Sequence, residues 1–514
     1  MTHAGPPFNK ASADTIIRSA DGVEFRVRRS ILEESSQVFE DMFTLPQGKD
    51  DVDAPQRVPG SHGIPVVEVT EDSTTLDCLL RLCYPVPPPT FDSVNLVGSV
   101  LDAAMKYMMD HASSVMIGHV VAMTASHPAE VFAISARHEL AKEAQGTLPY
   151  LRALLDEGGE NISVTELEVV PALPLFRLLS ESEDSMCRLF EITSSDPPSA
   201  SDRDCLDNPP PYPFDTISLS DAAIRSSDGI LFHVHTQVLY FAAPALYEKL
   251  VSAGDEPLVK KPDPTRHIHL LVVEEKSRIL YELLRLCYPL DNSAQPAYYY
   301  VRDLIPPARK YGMQAVLTKL RTALTAFVDT ADADEDLEFA GYALACANGL
   351  ENEARNAARR FLRRNEHFEH SWKVEVFMEN LSAAAYFRLL QYRKTCSRIA
   401  GALADGDMPP MAREGGYIWN ACILCECDDS QRPLTSDSPR QWWTNFMRDT
   451  AIALRRFPCG STVLLDNKRF NDAVRAASSC SNCGRWAAAH LRDFVNRFAA
   501  HIDTKLAAVP LEVK

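Results

Sequence analysis

From Val23 to Arg28 the chain alternates, with Val23, Phe25 and Val27 on one side of an extended segment and Glu24, Arg26 and Arg28 on the other. Asp21-Gly22 precedes this run, and a glycine there accepts the positive φ that a tight turn demands, so a half-buried hairpin is predicted. The period then changes. Ile31, Leu32, Val38, Phe39, Met42 and Phe43 recur at helical spacing, with polar residues between them. Gln47 to Gly63, rich in Pro, Gly and Asp, reads as a loop, and Ile64 to Val69 reads as a strand. Ser73 is then placed to cap a helix whose Leu76, Leu79, Leu80 and Cys83 share one face and which Pro85 ends.

The same succession returns downstream. Asp228-Gly229 precedes Ile230, Phe232 and Val234, and the heptad Leu79 to Pro85 (LLRLCYP) recurs letter for letter at Leu283 to Pro289. Ala104 to Met109 (AMKYMM) answers Ala308 to Met313 (ARKYGM), and the offset stays within a few residues of 207. After each such unit the pattern turns all-helical, from Ala112 to about Leu189 and from Ala326 to Ala404. Ser194 to Asp215, dense in Pro, Ser and Asp, reads as an extended linker, and Asp405 to Gly416 marks another break. An α+β, predominantly helical chain is expected, with repeated units at 12–111 and 215–325, helical extensions at 112–193 and 326–404, a linker at 194–214 and a tail at 410–514.

The repeated unit resembles a BTB (POZ) domain. In the first copy Asp14, Asp21, Gly22, Phe25, Val27, Leu32, Phe39, Leu79, Leu80, Arg81 and Tyr84 fill that family's pattern, and in the second Asp221, Asp228, Gly229, Phe232, Val234, His235, Leu239, Leu283, Leu284, Arg285 and Tyr288 do. The form with Cys-Tyr-Pro is similar to BTB proteins of mushroom-forming fungi, and the helical segments resemble BACK-type extensions, so the resemblance covers roughly residues 12 to 400. Two departures bear on partner binding. Arg28 stands where the family has histidine, and Pro244-Ala245-Leu246-Tyr247 replaces its Ser-x-x-Phe. The resemblance implies two tandem BTB folds acting as dimerisation and adaptor modules, in relatives often linking a substrate receptor to a cullin-type ubiquitin ligase.

Composition narrows the class further. With 46% hydrophobic and 24% charged residues over 514 positions, the chain has the make-up of a globular protein of several domains. It shows no signal-like stretch and no apolar run near the ~20 residues of a membrane span, so a cytoplasmic or nuclear location is expected. A net charge of -18 opposes general affinity for nucleic acid or anionic lipid. The tail alone carries 14 Lys and Arg against 11 Asp and Glu, a small excess that reads as a solvated surface.

Six of the 13 cysteines lie between Cys422 and Cys483. Cys422-x-x-Cys425 and Cys480-x-x-Cys483 can place four thiolates tetrahedrally about Zn²⁺, a closed set suited to a structural role, and Gly484 suits a tight knuckle after the second pair. Cys427 or His490 could replace one ligand. Trp419, Trp442, Trp443 and Trp486 flank these pairs and are expected to pack as a small core. His233 and His235, and likewise His267 and His269, share strand faces but lack a third ligand nearby, and read as ordinary strand residues.

No Gly-x-Ser-x-Gly, phosphate loop, Rossmann fingerprint or second metalloprotease histidine after His138-Glu139 is present, and no enzyme is expected. The leading expectation is a scaffold or adaptor for other proteins. Its two units are joined by a linker spanning ~25 Å as a flexible coil, so they could pair within one chain at an effective concentration that can reach millimolar, or pair between chains. The alternatives are a cullin-ligase substrate adaptor and, in another class, a nucleic-acid-associated regulator reading DNA through the tail.

Overall fold

The computed structural model describes residues 2–44, 64–157, 165–180, 188–191, 210–215, 220–252, 269–290, 298–330, 335–363, 372–379, 381–405, 408–414, 416–422, 424, 440–464 and 467–513. The loop expected at Gln47 to Gly63 and most of the proline-rich linker lie outside these residues. The chain divides into two units, Met1–Val170 with Arg177–Phe190, and Pro171–Phe176 with Glu191–Lys514. Among the described residues helices predominate, and each unit carries one small sheet. Among the described residues no helix is long and apolar enough to cross a membrane.

In the first unit β1 (Thr2–His3), β2 (Thr15–Arg18), β3 (Val23–Val27) and β4 (Val66–Glu68) form a sheet of order β1-β3-β2-β4. The β2/β3 hairpin is antiparallel, with Ile17 opposite Phe25, and β4 runs parallel to β2, with Ile16 opposite Val66. In the second unit β5 (Ala222–Arg225), β6 (Leu231–Val234) and β7 (His269–Val272) repeat this arrangement, with Ile224 opposite Phe232 and Ala223 opposite Leu270. Gly22 and Gly229 take φ of +82° and +88° in the hairpin turns, as the Asp-Gly signal predicts. One face differs from the alternation reading: Glu24, placed among the solvent-facing residues, is buried, because β1 pairs alongside it and Arg18 binds its carboxylate at 2.9 Å.

The copied heptad closes the helices Ser73–Cys83 and Ser277–Cys287, and Leu79, Leu80, Leu283 and Leu284 are all buried. The first helix is capped by Asp72 and not by Ser73: the Asp72 carboxylate accepts the N–H groups of Thr74 and Thr75 at 2.9 Å. Ser73 is engaged elsewhere. Its N–H and hydroxyl donate to Asp21 at 2.9 and 2.6 Å, and in the second unit Ser277 donates to Asp228 at 2.9 and 2.5 Å. The aspartate of each hairpin turn thus latches the start of the helix that follows, across about fifty residues of chain.

Other internal contacts repeat just as closely. The Tyr84 hydroxyl accepts the backbone N–H of Arg28 at 2.7 Å, and the Tyr288 hydroxyl accepts that of His235 at 2.9 Å. Arg28 therefore replaces histidine without cost to this bond, since the donor is main chain. Phe8 and Phe214 are fully buried, each with its ring edge-on to the matching tyrosine at 5.3 and 5.0 Å. Tyr107 and Lys106 both donate to Glu71, as Tyr311 and Lys310 do to Glu275. Pro6-Pro7-Phe8 and Tyr212-Pro213-Phe214 thus extend the duplication upstream of the alternating segments, into the last residues of the proline-rich stretch.

Candidate metal centre

The tail, 410–514, lies in the second unit. Its axis is the helix Ser481–Ala507, which buries Leu491, Phe494, Phe498 and Ile502 along one side. Helix Gln441–Arg456 packs against Ala383–Asp405, where the buried Arg393 donates at 2.9 Å to the carbonyls of Phe361 and Arg456. A guanidinium held by two carbonyls satisfies a buried charge that would otherwise be costly.

Three of the four predicted ligands converge. Cys422 follows the short helix Ile418–Ala421, Cys480 is the N-cap of Ser481–Ala507, and Cys483 lies in that helix's first turn. Their sulfurs all lie within 4.8 Å of one another, with Cys422 and Cys480 at 3.6 Å, and all three residues are buried. That separation is far beyond the ~2.05 Å of a disulfide, and the three remain free thiols. The backbone N–H of Leu424 donates to the Cys422 sulfur at 3.4 Å. The helix N-terminus adds partial positive charge beside Cys480 and Cys483. Three soft donors in a water-excluding pocket can hold a metal ion. Cys425 and the alternative Cys427 lie outside the described residues.

His490 is not part of this cluster among the described residues. Its Nδ1 accepts the N–H of Ile418 at 3.0 Å, and its ring stacks on Trp486. Gly484 also has a different task from the one its spacing suggests. It sits inside the helix, where a Cβ would fall 3.1 Å from the Ser478 backbone, so it permits a close approach of the preceding chain and makes no knuckle.

Trp419, Trp442 and Trp443 pack together as an aromatic core of the tail. Trp419 is fully buried and stacks on Trp443 at 3.9 Å with 8° between planes, Tyr417 stacks on Trp419 at 4.4 Å, and Trp442 and Phe494 meet it edge-on. Trp486 departs from the expected core: it is 44% exposed, with Arg485 over its ring. Burial, together with a 2.5 Å bond donated to Asp493, pushes the Tyr417 hydroxyl above its usual range, so it stays protonated and holds the start of the Cys422 segment to the long helix.

The histidine pairs do not assemble. His233 lies on β6, His235 has left the strand and contacts Tyr288, and His267 is outside the described residues. Two features escaped the sequence reading: the docked Phe8 and Phe214, detectable in the paired Pro-Pro-Phe and Tyr-Pro-Phe triplets, and a groove on the first repeated body with no linear signature. The chain matches no protein-family model, no curated protein and no solved structure.

Proposed function

We propose that the chain is a non-catalytic interaction scaffold inside the cell, built on two BTB-like bodies with BACK-like helical extensions and closed by a tail stapled by structural zinc. The observation that carries this reading is a contrast within the duplicated body. The aspartate latch, the tyrosine hydroxyl bond and the edge-on phenylalanine are kept in both copies, while on one helical face Glu33, Glu34, Gln37 and Glu40 of the first are Tyr240, Phe241, Pro244 and Tyr247 in the second. Two equivalent interiors carrying two unlike surfaces suit a protein that holds two kinds of partner.

Zinc follows from the donor set. A Zn–S length of about 2.3 Å in a tetrahedron sets the sulfurs about 3.8 Å apart, and Cys422 and Cys480 stand at 3.6 Å. Cys425 is the proposed fourth ligand. Four thiolates would leave no position for water, so the ion would staple the Cys422 segment to the long helix and carry no reaction.

The reading is tested by affinity purification of the full-length chain from its native cell, with metal measured on the same material. One zinc per chain, lost in Cys480→Ser, and a defined set of co-purified proteins are expected. A metal-free chain would remove the staple, and purification of the chain alone would remove the scaffold. A cullin among the partners would specify the ligase-adaptor alternative. The nucleic-acid alternative is disfavoured by the occupation of the tail's arginines: Arg455 pairs with Asp405, Arg469 donates to the Asp449 and Thr462 carbonyls, and Arg475 pairs with Asp472. Salt-dependent binding of duplex DNA by the full-length chain would revive it.

A further inference from the structure

The geometry points to a docking groove on the first body for a basic peptide segment of a partner protein, anchored by one apolar side chain. The inference rests on the reading of this body as a partner-binding module and names the partner's chemistry. The groove, about 750 Å³, lies between helices Arg29–Ser35 and Gln37–Thr44 on one side and Met108 to Ala112 on the other. Glu33, Glu34, Glu40 and Asp110 line it, Leu82 and Met109 give it an apolar floor, and no lysine or arginine is among its lining residues. Arg29 binds Glu33 at 2.7 Å, while Glu34, Glu40 and Asp110 are exposed. An acidic rim with no lysine or arginine in its lining, over an apolar floor, is complementary to Lys or Arg flanking a Leu, Met or Phe.

Met108 supplies an independent observation. Its φ is +50°, a left-handed conformation that a residue with a side chain adopts only at a cost, and yet it is 63% exposed at the groove. The equivalent residue of the second body is Gly312, at φ +70°. Glycine would relieve the strain, so the first body gives up stability and displays a flexible thioether into the groove, the kind of side chain that adapts to an apolar anchor.

The second body has changed the same positions together. Tyr240, Phe241 and Tyr247 stand where the first body has Glu33, Glu34 and Glu40, and Pro244 replaces Gln37. Pro244 Cγ lies 3.4 Å from where a Cβ on Gly312 would fall, so the proline ring packs directly against the position that carries the Met108 side chain in the first body. Phe241 is 83% exposed and its ring meets Tyr240 at 5.0 Å, which makes these positions aromatic where their counterparts are acidic. A basic segment fits the first face and not the second.

The test uses the full-length chain and a phage-displayed random peptide library, with synthetic copies of the enriched peptides measured by fluorescence anisotropy. Enriched peptides should carry several Lys or Arg around an apolar residue and should bind more weakly as salt rises. The double variant Glu34→Lys/Glu40→Lys, both exposed, should weaken binding by about tenfold or more. Met108→Gly should weaken it by about fivefold while raising the thermal midpoint, a split that a purely structural methionine would not produce. Enrichment of acidic or uncharged peptides, equal binding to the charge-reversed chain, or no enrichment at all would overturn the groove. Co-purified partners that persist with the charge-reversed chain would leave the scaffold intact and remove only this site.

Discussion

The two repeated bodies are alike in the bonds and ring contacts that tie their elements together and unlike on one exposed helical face. Asp21 and Asp228, Tyr84 and Tyr288, and Phe8 and Phe214 make matching bonds and ring contacts. Three exposed or half-exposed glutamates of the first body are Tyr240, Phe241 and Tyr247 in the second. A close-packed interior tolerates few changes of volume or hydrogen bonding, whereas substitutions on a surface cost little. Divergence has therefore been free to act on the exposed helical face.

This comparison can be broken at four points. The largest effect is expected from Phe8→Ala and Phe214→Ala, each of which empties a fully buried site. The loss should be about 3–5 kcal/mol in each case and should open only its own body in hydrogen exchange followed by mass spectrometry. If Phe214→Ala left the second body as protected as before, the equivalence of the two docked rings would fail.

Cys480→Ser serves as a contrast with both bodies. It should remove the metal and loosen the Cys422 segment and the first turns of helix Ser481–Ala507, leaving hydrogen exchange in the two repeated bodies unchanged. A loss of protection spread evenly over the chain would deny that the thiol cluster is a local staple.

The hairpin latches should respond alike to acid. Bonds from Ser19 and Ser73 hold the Asp21 carboxyl below its ordinary value of 3.8. Asp228 is also lowered, although partial burial opposes the bonds from Ser226 and Ser277. A depressed folded-state pKa means that the stabilisation is present above the ordinary value and fades as pH falls through the lowered one. Exchange protection at the starts of Ser73–Cys83 and Ser277–Cys287 should therefore fall together below about pH 4. Asp21→Asn should reduce that pH dependence in the first body alone, the remainder coming from the Asp72 cap, whose carboxyl is also lowered.

The smallest effect concerns Met108 and Gly312. Met108→Gly should stabilise the first body by about 0.5–1 kcal/mol and Gly312→Met should destabilise the second by a similar or larger amount, because a side chain at positive φ is strained. Thermal melts of the two variants that moved in the same direction would contradict the account given for the groove.

Much of this was readable along the chain. Alternation around Phe25 and Phe232, the Asp-Gly turns and the leucine face of the copied heptad depend on neighbours within a few residues, so they predict hairpin and helix correctly. Spacing also brought forward Cys422, Cys480 and Cys483, because two Cys-x-x-Cys pairs are a local signature. Errors arose where a side chain is claimed by a residue far away. Ser73 looks like a cap until Asp21 takes its hydroxyl, Glu24 looks solvent-facing until Arg18 and β1 cover it, and Gly484 looks like a knuckle until Ser478 comes close.

The amino-acid sequence by itself determined that one unit was used twice, with helices following each copy and a thiol-rich tail, since period, turn chemistry and repetition are properties of adjacent residues. Only the tertiary structure decided which carboxylates are latches, that 58 residues separate two thiols 3.6 Å apart, and that an acidic groove opens beside a strained methionine. Those outcomes depend on segments meeting in space, and the free energy of such contacts is set by burial and geometry that no local pattern encodes.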